Sequence, residues 1–540
     1  MRHALVFGAL LTAGLLTAPR AEACGGFFCS QVPIDQAGER IVFGVRDNKV
    51  EAHVQIQYQG AAETFSWVVP MPALPTLEAG TPLIFGYLDS RTQPRFQLEW
   101  QNSCGGWGRG DDAAADGPPA PQEGSAGGGG VVVVSQSEVG PYDAAILQAD
   151  EAAALRTWLV SNGYDLTEQG SAALEPYVGQ GNYFVALKLQ QNKQVGDLRP
   201  IVLRFAGNRP CIPIKLTAIA ARPDMPIIAY VLSNQRAIPI NYRHVLINPT
   251  RIDWLRFGSN YNQVATAAVD EAGGQAFLTE FAGASAPIAQ GYEAFLPDYD
   301  TAPLTQRTHP VDFANELMRQ GFGRDPSLQG LLRKYIPMPA SLVQAGVTEQ
   351  AFYNNLEGYR SAINSDPNRP PFDNRGFVQE IVDSIIVPAN KSLELLQSHP
   401  YLTRLFTTMS AEEMTVDPDF DFNTSAPDVP NLYTAKATFE TCDNDWNQRR
   451  VKIELPDGRF WFVTFGDAAF SQGPSALRVE QWGNEGPAAL IKDNSDLVNK
   501  ALGDNGGGVG SCGCSSTEAG SAALLSLLFV LWGVRRRQAV

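Results

Sequence analysis

The chain has 540 residues, a formal net charge of −16 and a hydrophobic content of 44%. This hydrophobic content excludes a largely disordered chain, and the length predicts two to four domains. The acidic charge argues against nucleic acid as a partner, because binding to a phosphate backbone needs clustered Lys and Arg. It suits a soluble surface outside the cell or the binding of cations.

The first residues of the chain have the pattern of an export signal. A polar start with Arg2 is followed by an apolar run over residues 4–16 and by Ala21-Glu22-Ala23. This is the pattern of a secretory signal peptide with an A-x-A cleavage site, and the run is too short to span a membrane. We expect signal peptidase to remove residues 1–23 between Ala23 and Cys24. The alternative is a lipoprotein signal with a lipidated Cys24, although Ala21 stands where such signals favour Leu.

Residues 24–300 are predicted to form an α+β domain rich in antiparallel strands. Apolar and polar residues alternate from Val50 to Gln59, which predicts a half-buried strand after a turn at Asp47-Asn48. Residues 105–130 are rich in Gly, Ala, Asp and Pro and are predicted to be a flexible surface insert, because they cannot bury a core. A helix is predicted after Asp150. Strands are predicted around it, at residues 131–134, 144–147, 183–189, 201–205, 212–219 and 227–232.

Six short segments of this region resemble the bacterial domain-of-unknown-function 2330 family. The resemblance extends over roughly residues 24–300. It implies a fold but supplies no catalytic residues. The segments are Ala23-Cys24-Gly25-Gly26-Phe27-Phe28-Cys29, Trp67-Val68-Val69-Pro70, Val139-Gly140-Pro141-Tyr142-Asp143, Trp158-Leu159-Val160-Ser161-Asn162-Gly163-Tyr164, Asn241-Tyr242-Arg243 and Ile252-Asp253-Trp254.

Residues 301–415 are predicted to be a helical region. Apolar stripes cover residues 352–363, and then residues 377–387 and 391–398 on either side of Pro388. We assign residues 401–406 to the same helical region. The clearest stripe has the i, i+3, i+4, i+7 spacing of one helix face, with Leu328, Leu331, Leu332 and Tyr335.

Residues 416–500 return to a period of two, which predicts a small β region. Pro456-Asp457-Gly458 predicts a hairpin turn inside it. Residues 501–511 form a glycine-rich spacer. The predicted fold class is therefore α+β, with an antiparallel-sheet-rich N-terminal region, a helical middle region and a small β region near the C-terminus.

The last segment, residues 512–540, has three parts. Cys512-Gly513-Cys514 is followed by an uncharged stretch over residues 519–534 and then by Arg535-Arg536-Arg537. A transmembrane helix over the 16 residues of that stretch would be ~24 Å long, shorter than a hydrocarbon core of ~30 Å. The three arginines would hold its far end in the cytoplasm.

This arrangement resembles the MYXO-CTERM sorting tail of myxobacterial and related deltaproteobacterial surface proteins. The resemblance implies that a sorting-tail protease processes the chain at Cys514. It also implies that the protein is displayed at the cell surface or outer membrane, anchored at its C-terminus at least transiently. The plain alternative is a permanent C-terminal anchor.

The cysteines of the exported chain are predicted to form structural disulfides, because they are scattered and lack the paired spacing of zinc ligands. Five of them precede the tail, so one is left over and the pairing stays open. They are Cys24, Cys29, Cys104, Cys211 and Cys442.

An alternating acidic run offers candidate ligands for calcium. Asp417, Asp419 and Asp421 could supply carboxylate oxygens, but Phe422 and Asp428 stand where an EF-hand loop needs Gly and Glu. The alternative is a solvated acidic loop. No other cofactor is predicted.

Two classes of function are consistent with the sequence. The first is an exported, surface-anchored envelope protein that acts as a binding or structural module for an extracellular ligand that the sequence does not identify. The alternative is an extracellular hydrolase whose carboxylates, or Ser and His, come from distant parts of the chain. His53 and His244 are interpreted as ordinary surface or packing residues, and the chain has no H-E-x-x-H, G-x-S-x-G or P-loop motif.

Overall fold

The structure is a computed structural model that describes residues 35–59, 65–102, 132–164, 168–191, 193, 197–466 and 472–509. The signal peptide, the surface insert and the sorting tail, with Cys24, Cys29, Cys104 and Cys514, lie outside these residues. The described chain has the predicted α+β fold. Among its helices, none is long and apolar enough to cross a membrane.

The first half of the described chain alternates between strands and short helices. In order these are β1 (Asp35–Arg46), β2 (Lys49–Gln59), β3 (Ser66–Met71), β4 (Thr76–Ala79), α1 (Leu83–Thr92), β5 (Arg95–Trp100), β6 (Val132–Val139), β7 (Tyr142–Gln148), α2 (Ala152–Ser161), α3 (Glu168–Gly179), β8 (Tyr183–Leu189), β9 (Ile201–Ala206), α4 (Ile214–Thr217), β10 (Met225–Ser233), β11 (Ala237–Pro239), β12 (Arg243–Ile247), α5 (Tyr261–Glu271), β13 (Ala276–Ala284) and α6 (Ala286–Phe295).

The second half begins with helices and ends with strands. Its elements are α7 (Ala302–Thr305), α8 (Pro310–Gln320), α9 (Leu328–Tyr335), α10 (Ala340–Gln344), α11 (Glu349–Asn354), α12 (Arg360–Ser365), α13 (Asn374–Ile381), α14 (Val387–Ser398), β14 (Tyr401–Met409), β15 (Phe420–Phe422), β16 (Leu432–Phe439), β17 (Arg450–Glu454), β18 (Arg459–Thr464), β19 (Ala476–Gln481), β20 (Ala489–Asp493), α15 (Ser495–Asp504) and β21 (Gly508–Val509).

Two stacked sheets organise the described chain. The larger, here called the large sheet, has the order β20-β19-β12-β13-β14-β10-β1-β2-β9-β4, and the smaller, here called the small sheet, has the order β3-β8-β7-β6. One apolar core fills the space between them. The outer face of the small sheet packs against α2 and α3, and the outer face of the large sheet packs against α1, α5, α6 and α14. The fold is therefore layered, as expected when amphipathic elements bury one face each.

The sequence regions on either side of residues 300 and 416 share sheets. Strand β14 lies between β10 and β13 of the large sheet, and β19 pairs with β12. Strand β5 pairs in parallel with β16 in a five-stranded sheet of order β21-β18-β17-β16-β5. Segments distant in sequence thus complete each other's sheets, whereas α7 to α13 have an apolar core of their own.

Two predicted hairpin turns are confirmed. Asp47 and Asn48 join β1 to β2 with φ angles of 52° and 58°, and Asp and Asn tolerate this left-handed region better than other non-glycine residues. Gly458 adopts φ 85° between β17 and β18. In both cases the turn chemistry is local, so the prediction did not depend on the tertiary fold.

Three local predictions are wrong. Residues 212–219, predicted as a strand, contain the short helix α4, and residues 401–406, predicted as helical, belong to β14. Strand β14 is buried along most of its length, and a strand buried on both faces lacks the apolar–polar alternation that would identify it from the sequence. Pro388 does not separate two helices: it lies in the first turn of α14, directly after a π-helical turn at Val382–Ile386. Pro388 has no N–H to donate to the preceding turn, and the Ser384 carbonyl there accepts a hydrogen bond from Arg199 instead.

Candidate functional site

A cavity of about 290 Å³ lies between the large sheet and the small sheet; we call it the sheet cavity. Its volume is just below the roughly 300–1,000 Å³ range of small-molecule sites. Most of its wall is apolar. The large sheet contributes Ile41, Phe43, Ala52, Val54, Leu203 and Phe205, and the small sheet contributes Trp67, Val69, Pro70 and Met71.

The alternation of β2 explains how the sequence builds one wall. Val50, Ala52 and Val54 share the face that is turned toward the small sheet, and all three are buried in the core between the sheets. Ala52 has a smaller side chain than its two valine neighbours, so the middle of this row leaves space. The period of two thus positions the wall, and the small residue in it contributes to the volume of the cavity.

The rim of the sheet cavity is polar and is built from distant parts of the chain. Tyr177 from α3 donates a hydrogen bond to Asp417 Oδ2 at 2.7 Å. The backbone N–H of Lys215 donates to Asp417 Oδ1 at 3.1 Å, and Lys215 Nζ lies 3.7 Å from Oδ2. Cys211 forms an isolated β-bridge with Asp419. Arg209, also at the rim, completes this group.

Burial shifts the titration of three rim groups, Asp417, Tyr177 and Cys211, toward their neutral forms. It raises the pKa of Asp417, although Tyr177 and Lys215 oppose this shift. It also raises the pKa of Tyr177, and the neighbouring Asp417 adds to the rise. Cys211 is exposed at the rim, yet the protein packed around its sulfur and the carboxylates of Asp419 and Asp417 raise its pKa well above 9.0. The thiol is therefore protonated at neutral pH and is a poor nucleophile.

The calcium candidates follow β14 and already have protein partners. Arg209 donates to Asp421 Oδ2 from Nε at 2.9 Å, and the Asn484 amide donates to the same oxygen at 2.6 Å. Asp417 is held by Tyr177, as described above. Within the described ranges, no group of three or more His, Cys, Asp and Glu side chains could hold a metal ion. Two of the cysteines predicted to form disulfides lie in the described residues. Cys211 has a free thiol, whereas the thiol of Cys442 is not free.

Both histidines singled out from the sequence are buried packing residues. His53 Nε2 lies 2.7 Å from Glu51 Oε1. His244 contacts Glu480 Oε2 from Nδ1 at 3.3 Å and the Thr279 hydroxyl from Nε2 at 3.0 Å. Burial lowers the pKa of His244, although Glu480 partly opposes this. Neither histidine lines the sheet cavity.

A second concavity, here called the polar cleft, has a volume of about 980 Å³ and is lined by the β1–β2 turn, β4, β9 and α14. A chain of ion pairs runs along it. Lys391 Nζ lies 2.7 Å from Glu78, Glu78 lies 2.9 Å from Arg204, and Arg204 Nε lies 2.6 Å from Glu51. Glu51 in turn contacts His53. Lys391, Glu78, Arg204 and Glu51 alternate in sign, so each of these charges has a neighbour of opposite charge.

The polar cleft does contain the residue types that a hydrolase uses. Burial opposes the ionisation of Glu51, but hydrogen bonds from His53 and Arg204 outweigh it and lower its pKa to about 2. Glu78 also has a lowered pKa, because its bonds to Lys391 and Arg204 outweigh its desolvation. A glycosidase needs one carboxyl group with a raised pKa as its general acid, and these two carboxylates are both shifted the other way.

The Ser and His of the polar cleft are neighbours in sequence. Ser398 Oγ lies 3.1 Å from His399 Nδ1, but His399 Nδ1 also lies 2.9 Å from the Leu395 carbonyl oxygen. A carbonyl oxygen can only accept, so Nδ1 carries the proton and is not the base that would activate Ser398. This pair does not have the geometry of a serine nucleophile with its base.

The fold and the sheet cavity define an α+β protein with a ligand-sized, mainly apolar space between two sheets. The chain belongs to the family described as "uncharacterized protein conserved in bacteria (DUF2330)", whose model matches residues 18–313. No curated protein and no solved structure matches the chain significantly. The matched range contains the walls of the cavity, whereas Asp417 and Asp419 of the rim lie beyond it.

Asp417 and Asp419 are calcium candidates in the sequence, and no sequence pattern predicts the cavity whose rim they form. Tyr177 and Trp67 stand in no motif that predicts a binding site. The alternation of β2 was a usable signal, because it indicated which face is apolar. It could not indicate which sheet would cover that face.

Proposed function

We propose that this chain is an exported, surface-anchored envelope protein that binds a small, largely apolar ligand in the sheet cavity. The observation that carries the proposal is the cavity, in which apolar walls meet a small number of polar groups at one rim, as in many small-molecule sites. Each methylene group of a ligand that moves from water into such a space contributes about 0.8 kcal/mol. The predicted signal peptide and the MYXO-CTERM-like tail support export and surface display.

The rim favours a ligand whose polar end donates hydrogen bonds. Asp417 and Asp419 present carboxyl oxygens, and Glu39 lines the same cavity. Two cations lie at the described rim, and both are near carboxylates: Arg209 is paired with Asp421 at 2.7 Å, and Lys215 Nζ lies 3.7 Å from Asp417. An amine or hydroxyl end would find acceptors here, whereas a carboxylate end would meet groups of its own charge.

The ligand proposal can be tested with three probes of equal chain length. We expect isothermal titration calorimetry of the exported protein to show saturable binding of hexylamine, weaker binding of hexanol and the weakest binding of hexanoate. Ala52→Ile should abolish binding, because the larger side chain occupies the cavity. The matched control is Ala489→Ile, at an exposed position of β20. Absence of binding by all three probes, or unchanged binding to Ala52→Ile, would contradict the proposal.

Export and anchoring are tested by the termini of the mature protein. Mass spectrometry of protein isolated from cell surfaces should give an N-terminus at Cys24 and a C-terminus near Cys514. A Cys514→Ala variant should retain its tail and stay in the membrane fraction. An isolated wild-type protein that still ends at Val540 would contradict the proposed processing.

A further inference from the structure

Strand β6 is an edge of the small sheet. It stands last in the order β3-β8-β7-β6 and, among the strands of the described chain, pairs with β7 alone. Every residue from Val132 to Glu138 is exposed, and only Val139 at the end of the strand is buried. An antiparallel strand turns the N–H and C=O groups of alternate residues to opposite sides. About half of the residues of β6 therefore present backbone groups that no described strand pairs.

This edge lacks most of the features that protect an edge strand from pairing with another chain. Proline, lysine and β-bulges are common protective features. Strand β6 has one of them, because its register to β7 shifts between Val133 and Ser135. From Ser135 to Val139 the pairing is regular, and the residues of this part include neither Pro nor Lys. An extended segment of another chain can therefore add here as a further strand.

A groove of about 440 Å³, here called the edge groove, lies beside this part of β6. It is lined by residues of β6, β7 and β8 and by the C-terminal end of α2. Gln136 pairs with Ala145, and Glu138 pairs with Asp143. Ala145 packs in the core beneath α2 and α3, so all four residues lie on that outer face of the small sheet. The edge groove and the sheet cavity are therefore on opposite faces.

The edge groove has an excess of negative charge. Glu138 and Asp143 are exposed and stand directly opposite each other, an arrangement in which like charges repel. Neither carboxylate forms an ion pair within the described chain. The cation of the lining is Lys188, but its Nζ donates to the Asn162 carbonyl oxygen and lies 4.5 Å from the centre of the Tyr164 ring. A second cation placed beside Glu138 would relieve the repulsion.

We propose that β6 is a docking edge for an extended, basic segment of a partner protein, which adds as a fifth strand of the small sheet and places a Lys or Arg side chain opposite Glu138. Opposed residues of neighbouring strands have Cβ atoms about 5 Å apart, so this side chain also extends toward Asp143. Main-chain hydrogen bonds provide the affinity of such strand addition, and the side chains select the partner. The net charge of −16 favours the approach of a basic segment. The proposal does not rest on a ligand in the sheet cavity.

The test uses short fluorescent peptides and the exported protein at low ionic strength. The basic probe alternates Lys with Thr and Val, and the acidic probe has Glu at every Lys position. Fluorescence anisotropy should show saturable binding of the basic probe and weaker binding of the acidic one. Two further versions of the basic probe are N-methylated either at every Lys or at every Thr and Val, which blocks opposite edges of an extended strand. One version should bind as the parent does and the other roughly tenfold more weakly, a difference that a purely electrostatic contact would not produce.

A charge reversal in the protein tests the role of Glu138. Glu138→Lys should weaken binding of the basic probe about fivefold and strengthen binding of the acidic one. The control Glu175→Lys makes the same change of charge at an exposed position of α3 and should bind both probes as the wild type does.

Four results would overturn the proposal. The basic probe binds no more tightly than the acidic probe, the two N-methylated versions bind equally, or Glu138→Lys binds the basic probe as tightly as the wild type. The fourth is a wild-type protein that is dimeric in sedimentation velocity and does not bind the basic probe, which would assign the edge to a second copy of the chain.

Discussion

Arg404 is the centre of a buried ionic network in the middle of the large sheet. It lies on β14, and its side chain is 5% exposed. Its Nε donates to Glu280 on the neighbouring strand, and its Nη1 donates to Asp89 Oδ1 at 2.7 Å and to Tyr230 Oη at 3.0 Å. Tyr261 donates to the other oxygen of Glu280 at 2.7 Å. The network joins α1, β10, β13, β14 and α5 through one guanidinium group.

Arg404→Met should destabilise the protein by about 3–5 kcal/mol, because it leaves a buried carboxylate without its cation. The side chain of Glu280 is 1% exposed, so water cannot solvate the carboxylate once its cation is removed. Burial already raises the pKa of Glu280, and Arg404 opposes that rise. Removing Arg404 should therefore raise the pKa further, and proton uptake by Glu280 sets an upper limit to the loss of stability.

The double variant Arg404→Met/Glu280→Leu separates the cost of an unpaired charge from the value of the pair. It removes both buried charges, so it should be more stable than Arg404→Met alone. Urea unfolding at neutral pH, followed by circular dichroism, measures the free energy of unfolding of each variant. A loss below about 1 kcal/mol for Arg404→Met, or a double variant less stable than Arg404→Met, would refute the reasoning.

Three further predictions concern single residues. The pKa of Glu51 is about 2 in the folded chain, below its ordinary value of 4.5, so its stabilisation is present above pH 4.5 and is lost as the pH falls toward 2. Glu51→Gln should flatten the acid side of the stability profile by at most about 3 kcal/mol; an unchanged profile would contradict this. Gly258→Ala should lower the free energy of unfolding by about 2–4 kcal/mol, because its φ is +77° and a Cβ would lie 2.2 Å from Phe96. The control Gly486→Ala should lower it by about 1 kcal/mol, because Gly486 has φ +74° but a Cβ there would have no atom within 4 Å. Equal unfolding midpoints for the two variants would argue against this prediction. Cys211 should react more slowly with iodoacetamide at pH 7.5 in the folded protein than in urea, because its pKa is raised, and equal rates would be inconsistent with that shift.

The sequence by itself determined features that depend on neighbouring residues. The Asp47-Asn48 and Pro456-Asp457-Gly458 turns follow from backbone preferences of those residues, and the apolar face of β2 follows from its period of two. The α+β class was predictable for the same reason, since it is the sum of such local patterns. The motifs of residues 24–300 also predicted the family, which the match over residues 18–313 confirms.

Only the tertiary structure decided which segments meet. Asp417 reaches Tyr177 across a separation of 240 residues, and β14 enters the large sheet between two strands that precede it by more than a hundred residues. No local pattern encodes such a partner, because strand pairing depends on matching edges and buried faces that exist only once the other elements have folded. The walls of the sheet cavity were therefore partly visible in the sequence, whereas the cavity, its rim and the polar cleft result from contacts between distant segments.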